Sequence, residues 1–200
     1  MKQRSPLMAI VCAGFVIRFA GCDQHSTGVE AAKPTGRTAP KLPAAEIYNA
    51  LRGAALALDR EQLGVSAGDG QVVALVADWR LDADLQATIV VVADGAVSMY
   101  YNTGGGVIGS GEHDHIRDRG RQVLALAESI VDQIEPVATT LPDTEIGHMR
   151  MTLVTDSGLR SVSAHIDSLA METHDLHRVA DGVQELITMI SDQNERLQEP

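Results

Sequence analysis

The pair Asp94-Gly95, set between two runs of strand-forming residues, constrains this chain more than any other feature. The β-branched run Ile89-Val90-Val91-Val92 leads into it, and after it Val97, Met99 and Tyr101 alternate with Ser98 and Tyr100. A two-residue Asp-Gly connection adopts a backbone twist that matches the twist of paired strands, so the two runs are expected to form an antiparallel hairpin. A sheet built from hairpins must bury its apolar face under something else. Helix-periodic segments on either side of the hairpin supply that cover, and the chain reads as α+β.

The remaining elements follow from period and punctuation. A first helix is expected over 44–63. Pro43 opens it at a position that needs no N–H, Ile47, Leu51, Ala55 and Leu58 share a face, and Gly64 stops it. Strands are expected over 72–81, 85–93 and 96–101. A second helix then buries Ile116, Val123, Ala127, Ile130 and Ile134, with Gly120 on the same face, and Pro136 ends it. A second hairpin places Met149, Met151 and Leu153 on one face, turns at Asp156-Ser157-Gly158 and returns over 159–166. A last helix over 175–190 buries Leu176, Val179, Val183, Ile187 and Ile190. The order is α-β-β-β-α-β-β-α: a mainly antiparallel five-stranded sheet with three helices, forming a single domain over 43–190. Residues 191–200 are read as a polar tail that frays. Residues 43–200 contain no Phe and a single Trp, Trp79, so the core must come from Val, Leu, Ile, Ala and Met. The arrangement resembles profilin-like or related sheet-and-helix modules, a class that hosts many unrelated functions.

The start of the chain has a different chemistry. Residues 1–22 carry Lys2, Arg4 and Arg18 and no acid, with an apolar stretch from Leu7 to Ile17. That is the pattern of a secretory signal, too short to span a bilayer. It ends in Phe19-Ala20-Gly21-Cys22, which resembles the lipobox of bacterial lipoproteins, where small residues precede a Cys that is lipidated and becomes the mature N-terminus. Phe19 stands where that motif usually has Leu, and Arg18 interrupts the apolar run. The resemblance implies lipid attachment at Cys22, a membrane as partner through that N-terminal anchor, and a bacterial cell-envelope address. Cys12 and Cys22 are the only cysteines, so the body has neither a disulfide framework nor a thiolate zinc site. Residues 23–42 are rich in Gly, Thr, Pro and Ala without apolar period, and read as a flexible tether spanning about 25 Å on average. The alternative is a cytoplasmic protein with a frayed N-terminal tail.

Charge and composition narrow the partners. The chain has 16 basic and 27 acidic residues, and aromatics make up 3%. Phosphate recognition needs a basic footprint and base stacking needs aromatic platforms, so no nucleic acid is expected as a partner.

A glycine-rich stretch, Gly104-Gly105-Gly106-Val107-Ile108-Gly109-Ser110-Gly111-Glu112-His113, links the first hairpin to the second helix. Gly104, Gly106 and Gly109 satisfy the GxGxxG spacing of dinucleotide sites. However, the preceding strand belongs to a hairpin, not a parallel unit, and Glu112 and Asp114 would repel a phosphate. Glu112 after Gly111 rules out a P-loop, and Ile108 and Glu112 break the G-x-S-x-G frame around Ser110. The first reading is structural: glycines supply positive φ for a strand-to-helix crossover, and Ser110 or Asp114 caps the helix. The second reading makes Gly104, Gly105, Gly106, Gly109, Ser110, Gly111, Glu112 and His113 a loop that meets a ligand or a protein partner. Together with the hairpin residues Asp94-Gly95 and Ser98-Met99-Tyr100-Tyr101, this loop resembles that of a bacterial family with a GGGxIGxGxH-type loop, over residues 85–190. No activity is assigned to that family, so the resemblance implies a shared fold and loop only.

Other polar groups read as surface or turn chemistry. Neither His113-x-His115 nor His174-x-x-His177 has a known zinc spacing, and HExxH is absent, so surface histidines and no metal are expected. Asp82 and Asp84 serve a turn, and Arg117, Arg119 and Arg121 form a solvated face. No nucleophile, base and orienter assemble from spacing, so catalysis and a cofactor are not expected. The leading expectation is a non-catalytic envelope lipoprotein that presents an α+β interaction module. The alternative is a cytosolic regulatory or small-ligand module that uses the loop at 104–115.

Overall fold

Strand alternation decides which residues line each face of a sheet. A computed structural model of the chain describes residues 42–66, 71–138 and 140–198. The expected signal segment, the lipid-attachment residue Cys22 and the tether up to residue 41 lie outside the described residues. Six strands are present: β1 (Val72–Arg80), β2 (Gln86–Val92), β3 (Val97–Tyr101), β4 (Gly106–Val107), β5 (His148–Thr155) and β6 (Gly158–His165). They form one sheet in the order β4-β3-β2-β1-β5-β6, antiparallel at every pairing. Among the described residues five α-helices accompany them: α1 (Ala44–Leu56), α2 (Arg60–Leu63), α3 (Asp114–Ile130), α4 (Ile166–Leu169) and α5 (His177–Gln198). The α+β class and its three main helices, α1, α3 and α5, match the sequence expectation.

The sheet has six strands, not five. Gly106 pairs with Tyr100 and Val107 with Met99. Two residues are too few for alternation to announce a strand. Gly106 has φ +133°, and a Cβ there would stand 2.3 Å from the Met99 carbonyl oxygen, so only glycine lets the chain lie against β3. The first helix is also shorter than 44–63. It ends at Leu56, and α2 restarts after Asp59, whose carboxylate accepts from the Gln62 N–H at 2.7 Å. Gly64 provides the stop, at φ +65°. The segment after Ile190, expected as a polar tail, continues α5 to Gln198. The expected caps of α3 are absent: His113 is the N-cap residue and makes no side-chain cap bond, while Ser110 lies in a short 3-10 turn with its hydroxyl buried and unbonded.

The two faces of the sheet carry different chemistry. On one face Leu75, Ala77, Ile89, Val91, Val97, Met99, Met149, Met151 and Leu153 pack under α3 and α5 and form the core. A Cβ on Gly120 would meet Val97 and Val91 within 3.3 Å, and one on Gly182 would meet Val123 at 2.7 Å. Both glycines therefore set how closely the helices approach. Two side chains lock this layer to the strands. The Glu128 carboxylate accepts from the N–H groups of Gln71 and Val72 at the start of β1, both at 2.8 Å. Arg160 on β6 donates to the Ile134 carbonyl at 2.7 Å, just beyond the C-terminal end of α3, where a cation is favoured. The opposite face is crossed by α1 and is rich in polar side chains.

Candidate functional site

The glycine stretch is first a guard on the sheet edge. After β4 it runs along the outer side of β3, where the Gly109 N–H donates to the Ser98 hydroxyl at 3.2 Å. Gly111 then presses on the hairpin turn: a Cβ on it would lie 2.2 Å from the Gly95 carbonyl oxygen and 3.0 Å from Val97 N. Gly104, Gly105 and Gly109 all have positive φ, as the crossover reading required. Gly105 and Gly106 are exposed, Gly104 and Gly109 are half-buried, and Ser110 and Gly111 are buried. Glu112 is exposed and His113 partly so. The loop also leaves Ile108 at its tip 48% exposed, high for a large apolar side chain.

Beside the loop lies a cavity of about 230 Å³, lined by Met99, Tyr101, Gly106 and Val107 from the sheet and by Ser191, Asn194 and Glu195 from α5. Its floor is apolar and its helical wall is polar. The three α5 residues fall within the segment expected to fray. Continuation of the helical register beyond Ile190 is the signal that would have placed them. Of the expected loop residues only Gly106 lines this cavity.

A second polar assembly lies beneath α1. Tyr48 and Arg52, one turn apart on α1, reach down to Asp78 on β1 and Thr88 on β2. Arg52 grips the Asp78 carboxylate through Nε at 2.9 Å and Nη2 at 2.6 Å, and Asp78 is fully buried. Donor logic orients the rest. The carboxylate can only accept, so the Thr88 hydroxyl donates to it at 2.6 Å. The Tyr48 hydroxyl must then donate to Thr88 Oγ1 at 2.7 Å, and the Gln86 amide donates to the Tyr48 oxygen at 2.7 Å. Burial first, and the Asp78 charge second, push the Tyr48 pKa up. Burial alone would lower the Arg52 pKa, but the hydrogen bonds and charge of Asp78 outweigh it and hold the guanidinium above its ordinary value. Tyr100 meets Tyr48 edge to face at 5.7 Å, but its buried hydroxyl has no hydrogen-bond partner. Burial, followed by the Asp78 charge, pushes its pKa up as well. An acid inside the apolar strand Val72–Arg80 was the sequence signal for this assembly.

The arrangement positions its groups: Asp78 is paired with Arg52 and accepts from Thr88, which fastens α1 to the sheet. Among the described residues no three His, Cys, Asp or Glu side chains converge on one point, and no helix is long and apolar enough to cross a membrane. Asp82 serves its turn as expected, accepting from the N–H groups of Asp84 and Leu85. The arginines of α3 are engaged within the domain: Arg117 with Asp114, Arg121 with Asp118, and Arg119 with Glu185 at 2.5 Å. His113 and His115 lie with ring centres 6.0 Å apart. Comparison of the chain with models of protein families, with curated proteins and with solved structures found no match.

Proposed function

We propose that this chain is a non-catalytic lipoprotein of the bacterial cell envelope, held by a lipid on Cys22, whose α+β body presents an interaction module to a protein partner. The lipobox-like Phe19-Ala20-Gly21-Cys22 supports the anchor. One observation carries the interaction reading: exposed Ile108 stands at the tip of a glycine loop next to the cavity walled by Asn194 and Glu195. An apolar side chain beside a groove with a polar rim is the usual composition of a recognition patch. The glycine loop joins that patch to the rigid hairpin of β2 and β3. The antiparallel sheet with helices on both faces supports placing the body among profilin-like modules, within the family that shares the GGGxIGxGxH-type loop.

Mass spectrometry of the N-terminus in the native host tests the anchor. A diacylated or triacylated Cys22 is expected, and an intact Met1 in the soluble fraction would reject it. The module is tested with Ile108→Ser and Glu112→Ala, which spare the packed glycines. Partner capture from the host envelope should fall in these folded variants, and an unchanged partner set rejects the loop. If the anchor fails while the loop variants lose a partner, the reading becomes the cytosolic module that uses the same loop.

A further inference from the structure

The cavity between the edge of the sheet and the end of α5 divides its chemistry between floor and wall. Met99, Tyr101 and Val107 supply the floor. The Tyr101 hydroxyl reaches the Met99 sulfur at 3.9 Å, so ring and thioether lie side by side. Ser191, Asn194 and Glu195 supply the wall, at spacings of three and four residues that put them on one face of α5.

The wall offers a carboxylate, an amide and a hydroxyl, and no cation. Among the described residues the side chains of Ser191, Asn194 and Glu195 have no hydrogen-bond or ion-pair partner. Arg196 is the basic residue of the last turn of α5, and it is not part of the lining. The Glu195 charge therefore meets no cation in the cavity, and the C-terminal end of a helix adds its own negative potential. The chain as a whole has the same sign, with 27 acidic against 16 basic residues. Size sets a second limit. Pockets that hold whole small molecules run from about 300 to 1,000 Å³. At about 230 Å³ this one suits a single side chain.

We propose that the cavity receives the guanidinium of an arginine side chain carried by the protein partner. A guanidinium has apolar faces and a polar edge, the same division as the cavity. One face can stack on the Tyr101 ring while the N–H edge turns to the Glu195 carboxylate and to the Asn194 and Ser191 oxygens. It is also less strongly hydrated than a lysine ammonium, so less is lost when it leaves water for an apolar floor. The partner as source rests on the interaction reading above, whereas the choice of a guanidinium rests on the cavity alone.

The test titrates the purified full chain with N-acetyl-arginine amide and with its citrulline and lysine counterparts. Binding is followed by NMR shifts of the Met99 methyl and the Asn194 side-chain amide. The arginine probe is expected to bind at millimolar concentration and to move both signals. Citrulline keeps the shape and lacks the charge, and should bind about fivefold more weakly, the loss expected of an exposed ion pair. Glu195→Gln should weaken arginine binding by the same factor and erase its advantage over citrulline. Asp192→Asn makes the same change of charge outside the lining and should bind like the parent. The proposal is overturned by unmoved Met99 and Asn194 signals, by citrulline or lysine binding as tightly as arginine, or by unchanged affinity in Glu195→Gln. Partner capture separates it from the reading it builds on. Capture lost in Ile108→Ser but unchanged in Glu195→Gln rejects the arginine anchor and leaves the interaction module standing. Capture unchanged in both rejects the module, and with it the partner as source, even where the probe binds.

Discussion

Replacing Arg52 by Leu removes the only cation paired with a fully buried carboxylate among the described residues. Deleting one partner of a buried ion pair costs about 3–5 kcal/mol, because the remaining charge stays desolvated. The Arg52 side chain is 23% exposed, so some water can reach Asp78 once it is gone, and the lower end applies, about 3 kcal/mol. In a domain of this size that loss lowers the melting temperature by roughly 6–12 °C. The double variant Arg52→Leu/Asp78→Val removes both charges and should recover about 2 kcal/mol, with the remainder reflecting a Thr88 hydroxyl left without its acceptor. Urea unfolding followed by circular dichroism measures both, and fluorescence of Trp79, beside Asp78 on β1, gives an independent probe. Hydrogen exchange should show α1 losing protection before β1, since the pair fastens that helix to the sheet. A loss below 1 kcal/mol for Arg52→Leu, or a double variant no more stable than the single one, would refute the claim that the pair holds α1 down.

The two buried tyrosines should respond in opposite ways. Tyr100→Phe removes an unbonded buried hydroxyl and should stabilise by about 1 kcal/mol, whereas Tyr48→Phe strands Thr88 and Gln86 and should cost about 1–2 kcal/mol, both read by denaturant midpoints. Both tyrosines hold their protons more tightly when folded, whereas the unfolded chain releases them at about pH 10. Their contribution to stability is therefore complete below pH 10 and is lost as the pH rises above it, and tyrosinate absorbance should appear together with unfolding. Among the glycines, Gly111→Ala forces a Cβ into the Gly95 carbonyl and should cost about 3 kcal/mol. Gly105→Ala meets no neighbour and pays only for its positive φ, about 1–2 kcal/mol, and reversing that order of melting temperatures would sink the packing account.

Much of the body could be read from local pattern, and several of the misses arise only where distant segments meet. The hairpin around Asp94-Gly95, the alternation of Met149, Met151 and Leu153, and the burial of Ile116, Val123 and Ala127 on α3 all follow a local period. However, the turn takes three residues, Ala93-Asp94-Gly95, with positive φ at Gly95 alone, and α3 ends at Ile130, short of Ile134 and the expected stop at Pro136. Strand β4 is two residues long and exists only because Gly106 can lie on Tyr100, a contact between segments. The end of the chain is polar yet helical, because α5 needs few apolar residues once Val183, Leu186 and Ile190 hold it to the core. Likewise His148 and His165 are 17 positions apart, and only the register of β5 and β6 makes them neighbours. Period reveals elements; pairing decides which distant polar groups meet.

That division also explains where chemistry has room in this domain. The face under α3 and α5 is filled by aliphatic side chains, and there a polar group would have to be bonded or expelled. On the other face, a row of directly opposed residues runs from Tyr100 through Thr88 and Asp78 to Arg150 and Ser163, and every member is polar. Such a row contributes little to stability compared with an apolar one, since each buried polar group must first recover its lost hydration. Asp78 and Thr88 do so through α1, and Arg150 in part through the Asp143 carbonyl at 3.2 Å, while Tyr100 does not. The His148–His165 pair follows that row at the open end of the same face, where partial exposure lowers the desolvation cost. Under α1 the buried polar groups Asp78 and Thr88 are thus tied to their neighbours while Tyr100 is not, and the histidines beyond them stand where water already reaches them.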